Sequence, residues 1–116
     1  MQADRLAAAI ALARRFNAHV VLKGAGSVCA SPDERWCVNA TGNAGLASGG
    51  TGDVLAGMIG ALLAQGYAPE TSLHLGVCLH GASADALADA GHGPIGITAS
   101  EVAIEARRVL NAWAAR

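Results

Sequence analysis

The sequence predicts an α/β fold, and three observations carry that expectation. A helical pattern over residues 5–16 runs into a short β-branched run at 19–22, two further short strands flank a Pro-Asp turn, and a glycine-rich loop opens directly onto a helix.

The first helix is set by RLAAAIALARRF, where Leu6, Ile10, Ala13 and Phe16 recur on one face, Arg14 and Arg15 stand at the end that favours cations, and Asn17 is the stop. His19 to Leu22, a continuous apolar run bounded by Asn and Gly, reads as a buried strand. Ser-Val-Cys-Ala-Ser and Trp-Cys-Val-Asn around Pro32 and Asp33 read as a hairpin. Pairing Ser31 with Trp36 across a four-residue turn puts Cys29 opposite Val38 and Cys37 on the other face, which argues against a Cys29–Cys37 disulfide. Residues 40–53 hold five glycines and no hydrophobic period, then Val54, Leu55, Met58, Ile59, Leu62 and Leu63 recur at helical spacing until Gly66. Pro69 begins a helix to about Ala90 that is apolar around much of its circumference, so burial on several sides is expected. After the loop at 91–96, Thr98 and Glu101 make a capping-box pattern for a last helix from Ala99 to about Ala114.

Composition narrows the functions. The chain has 116 residues with formal net charge −1, and its eight Lys+Arg against nine Asp+Glu give no basic excess for a nucleic acid or an anionic membrane surface. The apolar stretch at 54–69 is interrupted by Gly57, Gly60, Gln65 and Gly66 and is shorter than the roughly 20 residues that span a bilayer. Charges at Asp4, Arg5, Arg14 and Arg15 leave no signal-peptide pattern, and three cysteines without a C-x-x-C suit a reducing compartment, so a cytoplasmic protein with buried, inert thiols is expected. Alanine (27) and glycine (15) are so frequent that the core must rest on close helix contacts, and apolar surface left uncovered would favour a homo-oligomer.

The chemistry concentrates in Gly-Gly-Thr-Gly-Asp, residues 49–53. A helix N-terminus offers unpaired N–H groups and partial positive charge, and Gly49, Gly50 and Gly52 let that backbone approach an anion. Asp53 has two readings: a complement to the helix dipole, or a base that takes a proton from an attacking hydroxyl. Neither the P-loop nor the dinucleotide fingerprint fits, because no Lys-Ser/Thr ends the loop and Gly24-Ala25-Gly26 lacks its third glycine.

The string NATGNAGLASGGTGDVLAG at 39–57, preceded by VVLKGAGS at 20–27 and followed by LHGASADALA at 79–88 and GPIGITASEV at 93–102, resembles the ADP-dependent NAD(P)H-hydrate dehydratase family of the ribokinase-like superfamily. The resemblance covers nearly the whole chain and implies the C-terminal portion of a ribokinase-like domain, a single partial domain over 1–116, since relatives have a domain more than twice as long. It implies that ADP, or ATP, phosphorylates the hydroxyl of hydrated NADH or NADPH and that phosphate is then eliminated, with Mg2+ accompanying the nucleotide. Matched onto this sequence, Lys23, Gly24, Ala25, Gly26 and Ser27 would contact the adenine nucleotide, Gly49, Gly50, Thr51 and Gly52 would hold the phosphate, and Asp53 and Asn43 would face the hydrate, with Asp53 as general base. Ala44 stands where relatives usually have Pro, and Ser27 and Ser48 where they have Thr. A related vitamin-precursor kinase, and a fragment that binds nucleotide without catalysis, are the alternatives.

Several polar residues have plainer readings. His74 and Cys78, four apart on a helix, have a spacing metals use but no further ligand close in sequence. His80, Asp85, Asp89 and His92 fit packing or solvent exposure, and Trp36 and Trp113 fit packing anchors.

Overall fold

The computed structural model describes residues 2–24 and 26–115. Four α-helices, α1 (Gln2–Phe16), α2 (Thr51–Ala64), α3 (Pro69–Asp89) and α4 (Ala99–Ala114), accompany three strands, β1 (Val20–Leu22), β2 (Val28–Ala30) and β3 (Trp36–Val38), with a 3-10 turn at Ala44–Ala47. The strands form an antiparallel sheet in the order β1-β2-β3.

Strand alternation sends side chains to two faces, and each face is covered by different helices. On one, Val28 and Ala30 of β2 with Val20 and Leu22 of β1 pack against Leu6, Ala9, Ile10 and Ala13 of α1. Ala9 and Ala13 are fully buried because they lie where helix and sheet approach most closely, so alanine there sets the spacing. On the other, Cys29, Val21 and Cys37 meet Leu55 and Ile59 of α2 and Leu73 and Val77 of α3. A third cluster, Ala84, Leu87, Ile97 and Val102 with Leu46 and Val54, joins α3 to the α4 entry and to the loop before α2.

Every expected helix is present. Asn17 ends α1 in the left-handed conformation, φ 48°. Thr98 caps α4, accepting from the Glu101 N–H while the Glu101 carboxylate accepts from the Thr98 N–H. Helix α3 buries ten residues distributed around its circumference, as its pattern requires.

Five expectations need correction. The hairpin register is shifted by one: Cys29 stands opposite Cys37, and Val28 opposite Val38. The cause is the turn, in which the Ser31 N–H donates to the Arg35 carbonyl and Glu34 takes φ 71°, making a three-residue connection where four were expected. Asp33 stabilises it by accepting from the Arg35 N–H and guanidinium. The two thiols therefore share a face and are free, and burial, aided by the neighbouring Cys37, pushes the Cys29 thiol up to about 12. Only Cys29 is buried, whereas Cys37 and Cys78 are half-buried.

Strand β1 is half-buried rather than buried, because among the described strands it lies at the sheet's edge. Phe16 is 64% exposed: the last residue of α1 has drifted off the core stripe and stacks under the Arg15 guanidinium. Trp36 is 52% exposed, since α1 covers β1 and β2 but not β3, so it is no packing anchor. Among the described residues no helix is long and apolar enough to cross a membrane.

Candidate functional site

One large pocket, about 840 Å³, lies where the β1–β2 loop, the chain after β3 and the start of α2 converge, and its size suits a small-molecule ligand. Its lining includes Lys23, Gly24, Gly26, Ser27, Asn43, Gly50, Thr51 and Gly52, so most of the nucleotide-contact residues named from the sequence come together. Val38, Leu46, Leu55 and Val77 supply an apolar wall. Gly49 and Asp53 are not in the lining. Asp53 is exposed in the first turn of α2 beside Gly52, and a side chain at position 49 would meet nothing within 4 Å. Ala25 lies outside the described residues.

The glycine-rich end of the pocket is built from backbone. Gly50 is the N-cap of α2 at φ 89°, ψ −11°, a left-handed conformation that a side chain would strain, and no side chain caps the helix. The N–H groups of the first turn therefore lack intrahelical acceptors and concentrate positive potential at the pocket. Lys23, leaving β1, adds a full charge: a Cβ on Gly52 would lie 2.8 Å from the Lys23 ammonium nitrogen, so glycine is what allows the two to approach.

Three anchors hold this geometry, and none was assigned that role from the sequence. Arg5 of α1 donates to the carbonyls of Leu22 at 3.1 Å and Gly26 at 3.3 Å, bracketing the Lys23 loop. Asp85 of α3 accepts from the Gly42 N–H at 2.9 Å and from the Asn43 amide at 3.2 Å, while the Asn43 oxygen accepts from the Gly45 N–H. Asn43 thus lines the pocket with both side-chain polar atoms engaged in shaping the loop. Thr51 is buried, its hydroxyl within reach of the Leu46 carbonyl at 2.6 Å and the Ser48 carbonyl at 3.1 Å, so it ties the loop to α2 instead of reaching outward.

His80 is the third anchor. It is 4% exposed, and its Nε2–H donates to the Thr51 carbonyl at 2.9 Å, because a carbonyl can only accept. Burial, reinforced by the Lys23 charge, holds its pKa below 6.5 even though the Thr51 bond favours the cation. The folded state binds this proton more weakly than the unfolded chain, so His80 contributes its full stability above about pH 6.5 and loses it as pH falls through the lowered folded value. Thermal melts from pH 8 to pH 5 should show wild type losing more stability than His80→Gln. Parallel curves would mean that the imidazole is not held neutral.

The remaining polar candidates divide. His92 is exposed, as its loop position suggested. The imidazole of His74 lies near the thiols of Cys29 and Cys37.

A basic residue at a strand end, an uncapped glycine-rich helix start and an apolar wall beside them make a pocket in an α/β fold with one end that favours anions. The chain belongs to the NAD(P)H-hydrate dehydratase family, whose family model matches residues 1–107. It is 47% identical over 111 residues to an ADP-dependent (S)-NAD(P)H-hydrate dehydratase of Neisseria meningitidis, covering 96% of this chain and 38% of that protein. It is 46% identical over 112 residues to a bifunctional NAD(P)H-hydrate repair enzyme of Escherichia coli, covering 96% of this chain and 21% of that one. The crystal structure of the ADP/ATP-dependent NAD(P)H-hydrate dehydratase from Bacillus subtilis, co-crystallised with ATP and Mg2+, superposes with a TM-score of 0.90 at 37% identity, over 97% of this chain and 40% of that one. The fold is therefore ribokinase-like, and the chain spans about two-fifths of the Neisseria and Bacillus proteins.

Proposed function

We propose that this chain carries the nucleotide-binding part and the catalytic carboxylate of an ADP-dependent NAD(P)H-hydrate dehydratase, as the C-terminal portion of that domain. The observation that carries the reading is the Lys23 ammonium standing against Gly52 at the uncapped start of α2, inside a pocket large enough for an adenine nucleotide. The apolar wall of Val38, Leu55 and Val77 suits the base, and the Lys23 charge with the α2 N–H groups suits the phosphates.

In this reading the nucleotide phosphorylates the hydroxyl of the hydrated nicotinamide ring, and loss of phosphate regenerates the reduced cofactor. Asp53, exposed at the rim, takes the hydroxyl proton as the oxygen attacks phosphorus. The backbone N–H groups of Gly52 and its neighbours stabilise charge on the transferring phosphoryl oxygens. No carboxylate lines the described pocket, which suits a Mg2+ ion carried in on the nucleotide's phosphates and largely hydrated; it would supply charge neutralisation there. Asn43, held by Asp85, shapes the wall that faces the hydrate.

The test is calorimetric titration of the purified chain with ADP and Mg2+. Saturable binding at one site per chain supports the reading. Absence of heat from a chain that circular dichroism shows to be folded would overturn it. A vitamin-precursor kinase built on the same loop would bind ATP and release no reduced cofactor from NAD(P)H hydrate, so an absorbance assay with the hydrate separates the two.

A further inference from the structure

We propose that Cys29, Cys37 and His74 form a binding site for a thiophilic metal ion of the zinc class, behind the wall of the nucleotide pocket and separate from it. One ligand atom from each residue, two sulfurs and one imidazole nitrogen, lies within 4.8 Å of the others. Tetrahedral zinc, with bonds of about 2.3 Å to sulfur and 2.0 Å to nitrogen, holds such atoms roughly 3.5–3.8 Å apart, so small side-chain adjustments close the site.

The corrected hairpin register makes this possible. Opposite residues of an antiparallel pair project from the same face, which sends both thiols toward α3, where His74 meets them. Three elements, β2, β3 and α3, each contribute one ligand. Cys29 is buried, while Cys37 and His74 are half-buried, so the cluster is reached from solvent, and water would complete the tetrahedron as fourth ligand.

The surroundings favour a metal complex over three separate polar groups. Cys29 and Cys37 sit in the layer with Leu55, Leu73, Val77, Val21 and Ile59. Two thiolates and a divalent ion sum to zero charge, so the complex is compatible with an apolar layer that would penalise a free charge. Binding replaces two S–H bonds with two metal–sulfur bonds and releases two protons, with no change in oxidation state. A disulfide between Cys29 and Cys37 is the competing chemistry, but it would have no use for the imidazole brought to the pair from α3. Because Leu55 and Val77 pack with Cys29 and Cys37 and also line the pocket, an ion here would brace the pocket wall by clamping the hairpin to α3.

The experiment is titration of the reduced chain, under nitrogen, with Co2+ and then Zn2+. One equivalent of Co2+ should give sulfur-to-cobalt charge-transfer absorption and the intense visible bands of a tetrahedral complex, and Zn2+ should abolish both. Cys37→Ser and His74→Ala, each checked for fold by circular dichroism, should weaken binding by more than the roughly 10–100-fold carried by outer-shell partners. Cys78→Ser should leave binding unchanged. No charge-transfer band from the folded, reduced wild-type chain would overturn the proposal. So would unaltered affinity in His74→Ala, or a Cys29–Cys37 disulfide that persists after reduction and occupies both sulfurs. None of these readouts requires ADP binding, so they stand or fall independently of the nucleotide site.

Discussion

Gly52→Glu is expected to eliminate measurable ADP binding while leaving the chain folded. Position 52 is in the first turn of α2, and its missing side chain is what lets the Lys23 ammonium approach the helix start. A glutamate there would place a carboxylate in the phosphate cradle, pair with Lys23 and repel the incoming anion. Two like charges about 4 Å apart near a protein surface repel by roughly 4 kcal/mol, or about a thousandfold in affinity. The helix itself tolerates the change, since an acid in a first turn complements the dipole. Gly52→Ala grades the effect: its Cβ would come 2.8 Å from the end of a flexible lysine, which can move, so a fall of about tenfold or less is expected. Calorimetric titration of both variants checks the series. ADP binding retained by the glutamate variant would exclude the α2 start as the phosphate site.

The second large effect is expected from Asp53→Asn, which should lower the rate of hydrate dehydration by about 10²–10⁴-fold, the usual contribution of a positioned general base. The asparagine keeps the shape of the side chain and cannot accept the proton. ADP affinity should be unchanged or slightly tighter, because a carboxylate one residue from the phosphate cradle repels a bound nucleotide. The two readouts separate the roles: turnover measures proton transfer, and titration with ADP and Mg2+ measures the phosphate site. A weaker affinity would place Asp53 among the groups that hold the nucleotide's metal. Unchanged turnover would return it to a dipole-complementing residue.

Local sequence made much of this architecture legible. The Thr98–Glu101 capping box, the left-handed stop at Asn17 and the opening of a glycine loop onto α2 each depend on residues within a few positions of one another, where spacing constrains geometry closely. Lys23 was named through the family resemblance, because a lone lysine leaving a strand is by itself more often a solvated charge. The anchors of the site were not legible. Arg5 is 17 residues from the Leu22 carbonyl it holds, Asp85 is 43 from Gly42, and His80 is 29 from Thr51, and no periodicity encodes such partnerships. Asp85 and His80 carry a weak signal, being polar residues on a helix apolar around most of its girth, where burial demands a partner.

The hairpin marks the boundary between the two kinds of information. Pro32 and Asp33 announce a turn, but whether three or four residues form it depends on Glu34 accepting a left-handed conformation, which few side chains favour and no motif here signals. That single residue decides which face Cys37 occupies, and hence whether two thiols and a histidine from α3 meet at all.

Taken alone, the residue order establishes the elements, the helix ends, the glycine-rich loop before α2 and the family resemblance, because these are written in neighbouring positions. The strand register, the bracing of the pocket by Arg5, Asp85 and His80, and the Cys29–Cys37–His74 cluster emerge only when separate elements pack, because each is a relation between surfaces that the chain brings together by burying them.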